Sequence, residues 1–555
     1  MYYTKRGQIY IFFISFMIVC NKYNAILFGK INERMGELLK KKLDICNAFA
    51  MRMIAKEKEK ITLNQILIIM GKLSHLYPAE LWDNFENICA IPHPSKHEEK
   101  LVEWMQNWAK KNNIDCKKDK VGNLIFSKPA TKGMENRTPV ILQAHVDMVP
   151  QANSNKKHDF TKDPIEPMIG EDGWLRANGT TLGADDGIGG AAALAILASK
   201  KIAHGPLEVL LTIDEETGLT GAFGLKKGTL KGEILINLDS ETEGEMYVGC
   251  AGGLDGVISM NYKQEMTPAG MKGFEVVVTG LNGGHSGMDI ILGRANANKV
   301  MNRLLFKATE QCGARLFSFA GGNMRNAIPR EAKAVVAIPE ANEKTFTKLV
   351  NTFAKEVKRE FAATEPNMTV KAKAVETPAK VLALGYQQRI INMIFALPNG
   401  VLRMSDSMEN LVETSNNLAI VKVEKGKVEI ASLMRSSVDS AKTAVGERMT
   451  AIAQLGGANI VLDGAYPGWN PNMESPILLT AKTVYKKKFK TEPKVMAIHA
   501  GLECALFSVN YPNWDMVSFG PTIMHPHSPD EKVNIASVGK FWDFLVELLK
   551  NIPVK

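Results

Sequence analysis

Four apolar, strand-like segments of this 555-residue chain end in ionisable side chains. "VILQAHVD" closes on His145 and Asp147, "VLLTIDEETG" on Asp214, Glu215 and Glu216, "ILINLDSE" on Asp239, and "VSFGPTIMHPHSPDE" leads into His525 and His527. A fifth, glycine-rich segment, "TTLGADDGIGG", sets Asp185 and Asp186 in a turn ahead of a run of small residues. Side chains two residues apart on a strand leave from one face, so His145 and Asp147 are expected to meet. In open α/β sheets, ligands bind beyond the carboxyl ends of the strands, and there these groups would converge.

So many carboxylates cannot share a cleft unaided, because each charge taken out of water costs several kcal/mol and like charges repel. The cleft needs cations. Imidazole and carboxylate donors without a thiolate signature suit Zn²⁺, or Mn²⁺ or Co²⁺. Five ligands, one of them a bridging carboxylate, suffice for two metals about 3.5 to 4 Å apart. Taken singly, each motif has a plainer reading. His145 could be a structural histidine, Glu215 and Glu216 a solvated helix start favoured by the dipole, Asp239 a turn cap and His527 a surface residue. Their joint occurrence at strand ends of one domain favours the metal site.

The elements that must position these residues alternate. "SKHEEKLVEWMQNWAKK" predicts a helix, with Ser95 and Glu98 spaced as a capping box and Leu101, Met105 and Trp108 on one face. Strands are expected at "NLIFS", "VILQAHV", "EVLLTID" and "EILINLD", with "GIGGAAALAILASKK" as a helix between the second and third. That alternation predicts an α/β domain with a mostly parallel central sheet. Near Gly252 the pattern changes to long amphipathic helices at about 295–307 and 343–361 and to strands such as "LAIVKVEKGKVEIASLM", which predicts an inserted α+β domain. The expected division is an extension over 1–71, a catalytic domain in two parts over 72–252 and 466–555, and the insertion over 253–465.

Composition is that of an ordinary globular protein. The formal charge is +9, but residues 1–69 hold 12 Lys and Arg against 5 Asp and Glu, hence +7, leaving +2 for the rest. A near-neutral body is no electrostatic footprint for nucleic acid. Seven cysteines without a CxxC pair suggest free thiols in a reducing compartment. The 12-residue apolar run from Ile9 to Cys20 is too short for a spanning helix of about 20 residues. It fits the core of a signal peptide without a clear cleavage site. The alternative is a functional start near Met70, and cytoplasmic localisation without stable membrane insertion is the expectation.

The motifs "QAHVDMVPQ", "GTTLGADDGIG", "DEETG", "NLDSETEGE", "HAGLEC" and "PHSPDE", in this order, closely resemble the bacterial aminoacyl-histidine dipeptidases, also called Xaa-His dipeptidases or peptidase D. That family is a branch of the dinuclear zinc metallopeptidases that include carboxypeptidase G and aminotripeptidase. The likeness spans about residues 72–555. It implies two divalent metals, zinc foremost, with Asp185 bridging, His145 and Asp239 on one ion, and Glu216 and His527 on the other. It implies Glu215 as general base, Asp147 as the orienter of His145, and a cis peptide between Asp185 and Asp186. For the insertion it implies a lid or dimerisation-type domain whose His285, Asn326 and Arg435 contact substrate; a homodimer is compatible with it. Two departures stand out: His525 takes a position where relatives carry Gly, leaving open which histidine ligates, and Ala505 replaces a common Gly.

The expected reaction is metal-assisted hydrolysis of unblocked dipeptides, with Xaa-His favoured by resemblance. The competing readings are a related tripeptide aminopeptidase or N-acyl amino acid deacylase on the same metals, and a binding protein with a relict site.

Overall fold

The structure is a computed structural model and describes residues 73–555; the expectations for the extension fall on residues outside these. Two large sheets organise the described chain. The first has eight strands: β1 (Asp115–Lys118), β2 (Leu124–Lys128), β3 (Val140–His145), β4 (Leu207–Thr212), β5 (Ile234–Asn237), β6 (Glu245–Cys250), β7 (Lys494–Ile498) and β8 (Asp515–Ser518), in the spatial order β1-β2-β4-β3-β5-β8-β6-β7. The centre, β4-β3-β5-β8, is parallel. The β1–β2 and β2–β4 pairings and the β8–β6 contact are antiparallel, so the sheet is mixed around a parallel core.

All six residues of β3 are buried, as a continuous apolar run in a sheet covered on both faces requires. One cover is helix α1 (Ala184–Ala198), whose turns are buried almost throughout. Its glycines permit close packing: a Cβ at Gly187 would lie 3.0 Å from the Phe85 ring, and one at Gly189 would lie 2.8 Å from the Leu238 Cβ. Phe85 is itself fully buried. Phe85→Ala should therefore cost about 3–5 kcal/mol, read as a lower urea midpoint with an unchanged slope.

The second sheet has nine strands drawn from 252–466, and its pairings are antiparallel. Its longest hairpin, Val412–Glu424 with Lys427–Ser436, turns on Lys425 and Gly426. Both have positive φ, 52° and 79°, as a two-residue type I′ turn demands. Helices Ala297–Cys312 and Glu343–Glu360 belong to the same region and share a hydrophobic core separate from that under the first sheet.

One expectation fails locally. The helix begins at Glu99 rather than at Ser95, and no capping box forms. Lys96 takes a left-handed conformation (φ 71°), Ser95 donates to the Met148 carbonyl, and the Glu98 carboxylate accepts the N–H groups of Lys96 and Asp214. Glu98 thus anchors the segment that follows β4 instead of capping its own helix.

Candidate metal centre and active site

Each strand end delivers its residue by a local device. β3 ends on His145, whose backbone N–H is taken by Asp186 Oδ2 at 3.2 Å. After β4 the chain turns through Asp214 in a left-handed conformation (φ 51°) into the one-turn helix Glu215–Gly218. That helix is held at its start by Asp147, whose Oδ1 and Oδ2 accept the N–H groups of Glu215 (3.0 Å) and Glu216 (3.2 Å). Short strands Ile523–Met524 and Lys532–Asn534 pair antiparallel and present the intervening loop with His525 and His527, both at positive φ.

The convergence is close. His145 Nε2 lies 3.2 Å from Asp185 Oδ1 and 3.5 Å from Asp239 Oδ1. His527 Nε2 lies 3.2 Å from Asp185 Oδ2 and 2.9 Å from Glu216 Oε2. The two oxygens of Asp185 therefore face two different histidines, each with a further carboxylate. His145 Nδ1 meets Asp147, 3.4 Å from its Oδ1 and 3.1 Å from its backbone oxygen. Of the two candidate histidines, His527 reaches the cluster. His525 lies exposed and is in none of the potential metal-holding groups among the described residues. The peptide bond between Asp185 and Asp186 is cis.

The donor set fits divalent metal ions. His145, Asp185 and Asp239 offer ligand atoms within 4.8 Å of one another, and so do Asp185, Glu216 and His527. Glu216 Oε1 is buried without a hydrogen-bond partner, an acceptor that a cation would satisfy. The electrostatics agree. Burial pushes Asp239 up to about 7 and Glu241 up to about 9, with the negative charge of Asp185 adding to both, and it raises Glu215 well above the carboxylate range. Burial would lower His145, yet the charge of Asp239 and hydrogen bonds to Asp147 and Asp185 hold it well above its usual value. Hydrogen bonds to Asp185 and Glu216 push His527 up to about 11. The carboxylates thus draw positive charge into the cleft, and metal ions can supply it in place of protons.

Three carboxylates that received no role from the sequence complete the support. Glu531 accepts from four consecutive N–H groups, those of Leu182 (2.7 Å), Gly183 (3.0 Å), Ala184 (2.8 Å) and Asp185 (3.4 Å), and so ties the Asp185 turn to the His527 loop. Glu503, fully buried, accepts from Gln143 and Thr212, both at 2.6 Å, beneath the ends of β3 and β4. Glu241 sits beside Asp185 and Asp239. All three lie inside the quoted motifs, but the partners of Glu531 and Glu503, and the Asp185 neighbour of Glu241, are distant in sequence and local spacing carries no sign of them.

The residues expected to contact substrate form a second group in the inserted region. His285 Nδ1 accepts the N–H groups of Gly287 (3.2 Å) and Met288 (3.1 Å), which places the proton of a neutral ring on Nε2. Burial, then the nearby Arg435 charge, keeps that ring neutral by lowering its pKa. Asn326 is exposed, and its backbone carbonyl accepts from Ser286 N at 2.8 Å. Arg435 is buried and donates to Ser286 Oγ and the Tyr466 hydroxyl. His499, which follows β7 and donates to or accepts from Ser415 Oγ at 2.7 Å, joins this group to the first sheet.

The fold is that of a known class: the chain belongs to peptidase family M20/M25/M40, whose model matches residues 141–551. It is accordingly a metal-dependent hydrolase of peptide bonds. Among characterised relatives it is 49% identical over 486 residues to the cytosol non-specific dipeptidase of Escherichia coli K12, covering 88% of this chain and 100% of that one. It is similar at 50% identity and a TM-score of 0.83 to the crystal structure of aminoacylhistidine dipeptidase from Vibrio alginolyticus, over 88% of this chain and 99% of that one. A tripeptidase from Staphylococcus aureus shares the fold at 15% identity and a TM-score of 0.50, over 86% and 99% of the two chains. Among the described residues no helix is long and apolar enough to cross a membrane.

Proposed function

We propose that this protein is a cytoplasmic dipeptidase, acting on Xaa-His and other unblocked dipeptides, with two divalent ions, zinc foremost, held as a pair. The observation that carries the reading is the placement of Asp185, with one carboxylate oxygen toward His145 and the other toward His527. In this reading His145 and Asp239 would hold one ion and Glu216 and His527 the other, with Asp185 placed to serve both. Such ions would supply a water of strongly lowered pKa and polarise the scissile carbonyl.

The protein's own groups do the rest. Glu215, whose carboxyl burial raises above the ordinary carboxylate range, takes the proton of the attacking water and returns it to the leaving amine. The Nε2–H of His285 is free to donate to the developing oxyanion. Arg435 receives the substrate carboxylate, and Asn326 flanks the same loop. The insertion over 253–465 acts as a lid that closes these groups over the cleft. Asp147 orients His145 and also fixes the turn bearing Glu215 and Glu216.

Asp147→Asn should weaken metal binding by about 10–100-fold while leaving the fold intact, as loss of such outer partners does elsewhere. Competition against a chromogenic chelator measures this, and an affinity equal to wild type would contradict the role. The substrate reading is tested by profiling metal-loaded protein on Xaa-His dipeptides, tripeptides and N-acyl amino acids. Dipeptides should lead, whereas a clear preference for tripeptides or acylated substrates would replace it with an aminopeptidase or deacylase.

A further inference from the structure

Arg435 is only 5% exposed, yet its side-chain hydrogen-bond partners are neutral: Ser286 Oγ at 3.4 Å from Nε and the Tyr466 hydroxyl at 3.1 Å from one terminal nitrogen. Asp255, an acidic group on the neighbouring strand that feels the Arg435 charge, is engaged by Arg325. A guanidinium carries five donors and stays charged, so a buried one with two neutral partners is poised for an incoming anion.

The placement of Tyr466 follows from three adjacent strands. In the register of the second sheet, Arg435 on Lys427–Ser436 and Tyr466 on Asn459–Tyr466 both pair with Gly253 on Gly252–Asn261, one from each side. Gly253 needs no unusual backbone conformation, since its φ is not among the positive ones. What the position needs is space: a Cβ there would lie 2.6 Å from the Tyr466 Cζ, inside the ring's van der Waals surface. The phenol ring therefore lies across the bare Gly253 Cα, and its hydroxyl meets the guanidinium one strand further on. On its other edge the ring faces Gly501, where a Cβ would sit 3.3 Å from Cε2. The ring is held between the first strand of the insertion, at Gly253, and the segment after β7, at Gly501. Tyr466 is also where that strand ends and the chain crosses back, beside the Cys250–Trp469 pairing.

We propose that Tyr466, laid across Gly253, is a positioning residue that sets Arg435 to receive the carboxylate of the substrate's C-terminal residue, and so enforces the requirement for a free C terminus. This rests on the reading of Arg435 as a substrate contact. Ser286 alone would leave the guanidinium tethered at Nε and free to swing at its terminal nitrogens, where a bidentate carboxylate must dock.

The test uses metal-loaded full-length protein and two probes, an Xaa-His dipeptide and the same dipeptide with a C-terminal amide. Wild type should favour the free acid by at least about 100-fold in kcat/KM, because the amide leaves the buried guanidinium without a counter-charge. Tyr466→Phe should raise KM for the acid about 10-fold, the worth of a hydrogen bond to a charged group, with kcat, metal content and amide kinetics unchanged. Gly253→Ala, which displaces the ring from the opposite side, should move the same parameter in the same direction. If wild type prefers the acid and Tyr466→Phe leaves its KM unchanged, or lowers kcat equally for both probes, the positioning role is overturned while Arg435 keeps its place. If wild type does not distinguish acid from amide, the Arg435 reading itself falls and this inference with it.

Discussion

Glu215→Gln is expected to bind metal as the wild type does and to lose about 10²–10⁴-fold in kcat. Its N–H is held by Asp147 at 3.0 Å, an interaction the substitution leaves in place, so the turn carrying the neighbouring Glu216 should keep its geometry. Glutamine preserves size but is neutral, cannot take a proton and carries an NH₂ group in place of one carboxylate oxygen. Burial holds the Glu215 carboxyl well above its ordinary range, which suits a base that must release its proton again to the leaving amine. The check is a pair of measurements on one preparation, metal stoichiometry and single-turnover hydrolysis. A variant that keeps wild-type turnover removes Glu215 from the reaction, and one that loses metal as well as activity makes it a ligand.

Asp185→Asn should have the largest effect on metal. The carboxylate places Oδ1 3.2 Å from His145 and Oδ2 3.2 Å from His527, and the structure gives each histidine one further carboxylate within ion-pair distance on the metal-facing nitrogen. Whichever way an asparagine side chain is turned, one histidine then faces an NH₂ group instead of an acceptor. Losing an outer partner of a ligand costs about 10–100-fold in metal affinity. Losing the shared carboxylate should exceed that and should weaken both ions together. Calorimetric titration of chelated protein with Zn²⁺ or Co²⁺ reads this directly. Two undiminished binding events would show that Asp185 is not the bridge.

How far the sequence announces this site depends on what each residue's signal is local to. His145, Glu215, Glu216, Asp239 and His527 stand out because an apolar strand that ends in ionisable residues is an anomaly within a few positions, and Asp185 because a glycine-rich turn sets it ahead of a run of small residues. The parallel centre of the first sheet is legible for the same reason, from short apolar runs such as β3 separated by a helix of small residues. The antiparallel edge is not, since β1 is mostly exposed and lacks an apolar run. The Glu531 carboxylate accepts from four N–H groups that lie 346–349 residues away. Glu98 sits three residues after Ser95, the spacing of a capping box, but accepts from Asp214, 116 residues on. The crossing of Tyr466 over Gly253 depends on register between strands more than 200 residues apart and has no local trace. His525 and His527 are equivalent by spacing, and the geometry of the loop separates them.

Two divalent ions held by these side chains would supply the activated water for dipeptide hydrolysis. The most direct test is to strip the protein with a chelator, assay an Xaa-His dipeptide, and add Zn²⁺ back in measured equivalents. The stripped protein should show no hydrolysis, and activity should recover and saturate at two equivalents per chain. Full activity after removal of metal would contradict a metal-dependent reaction.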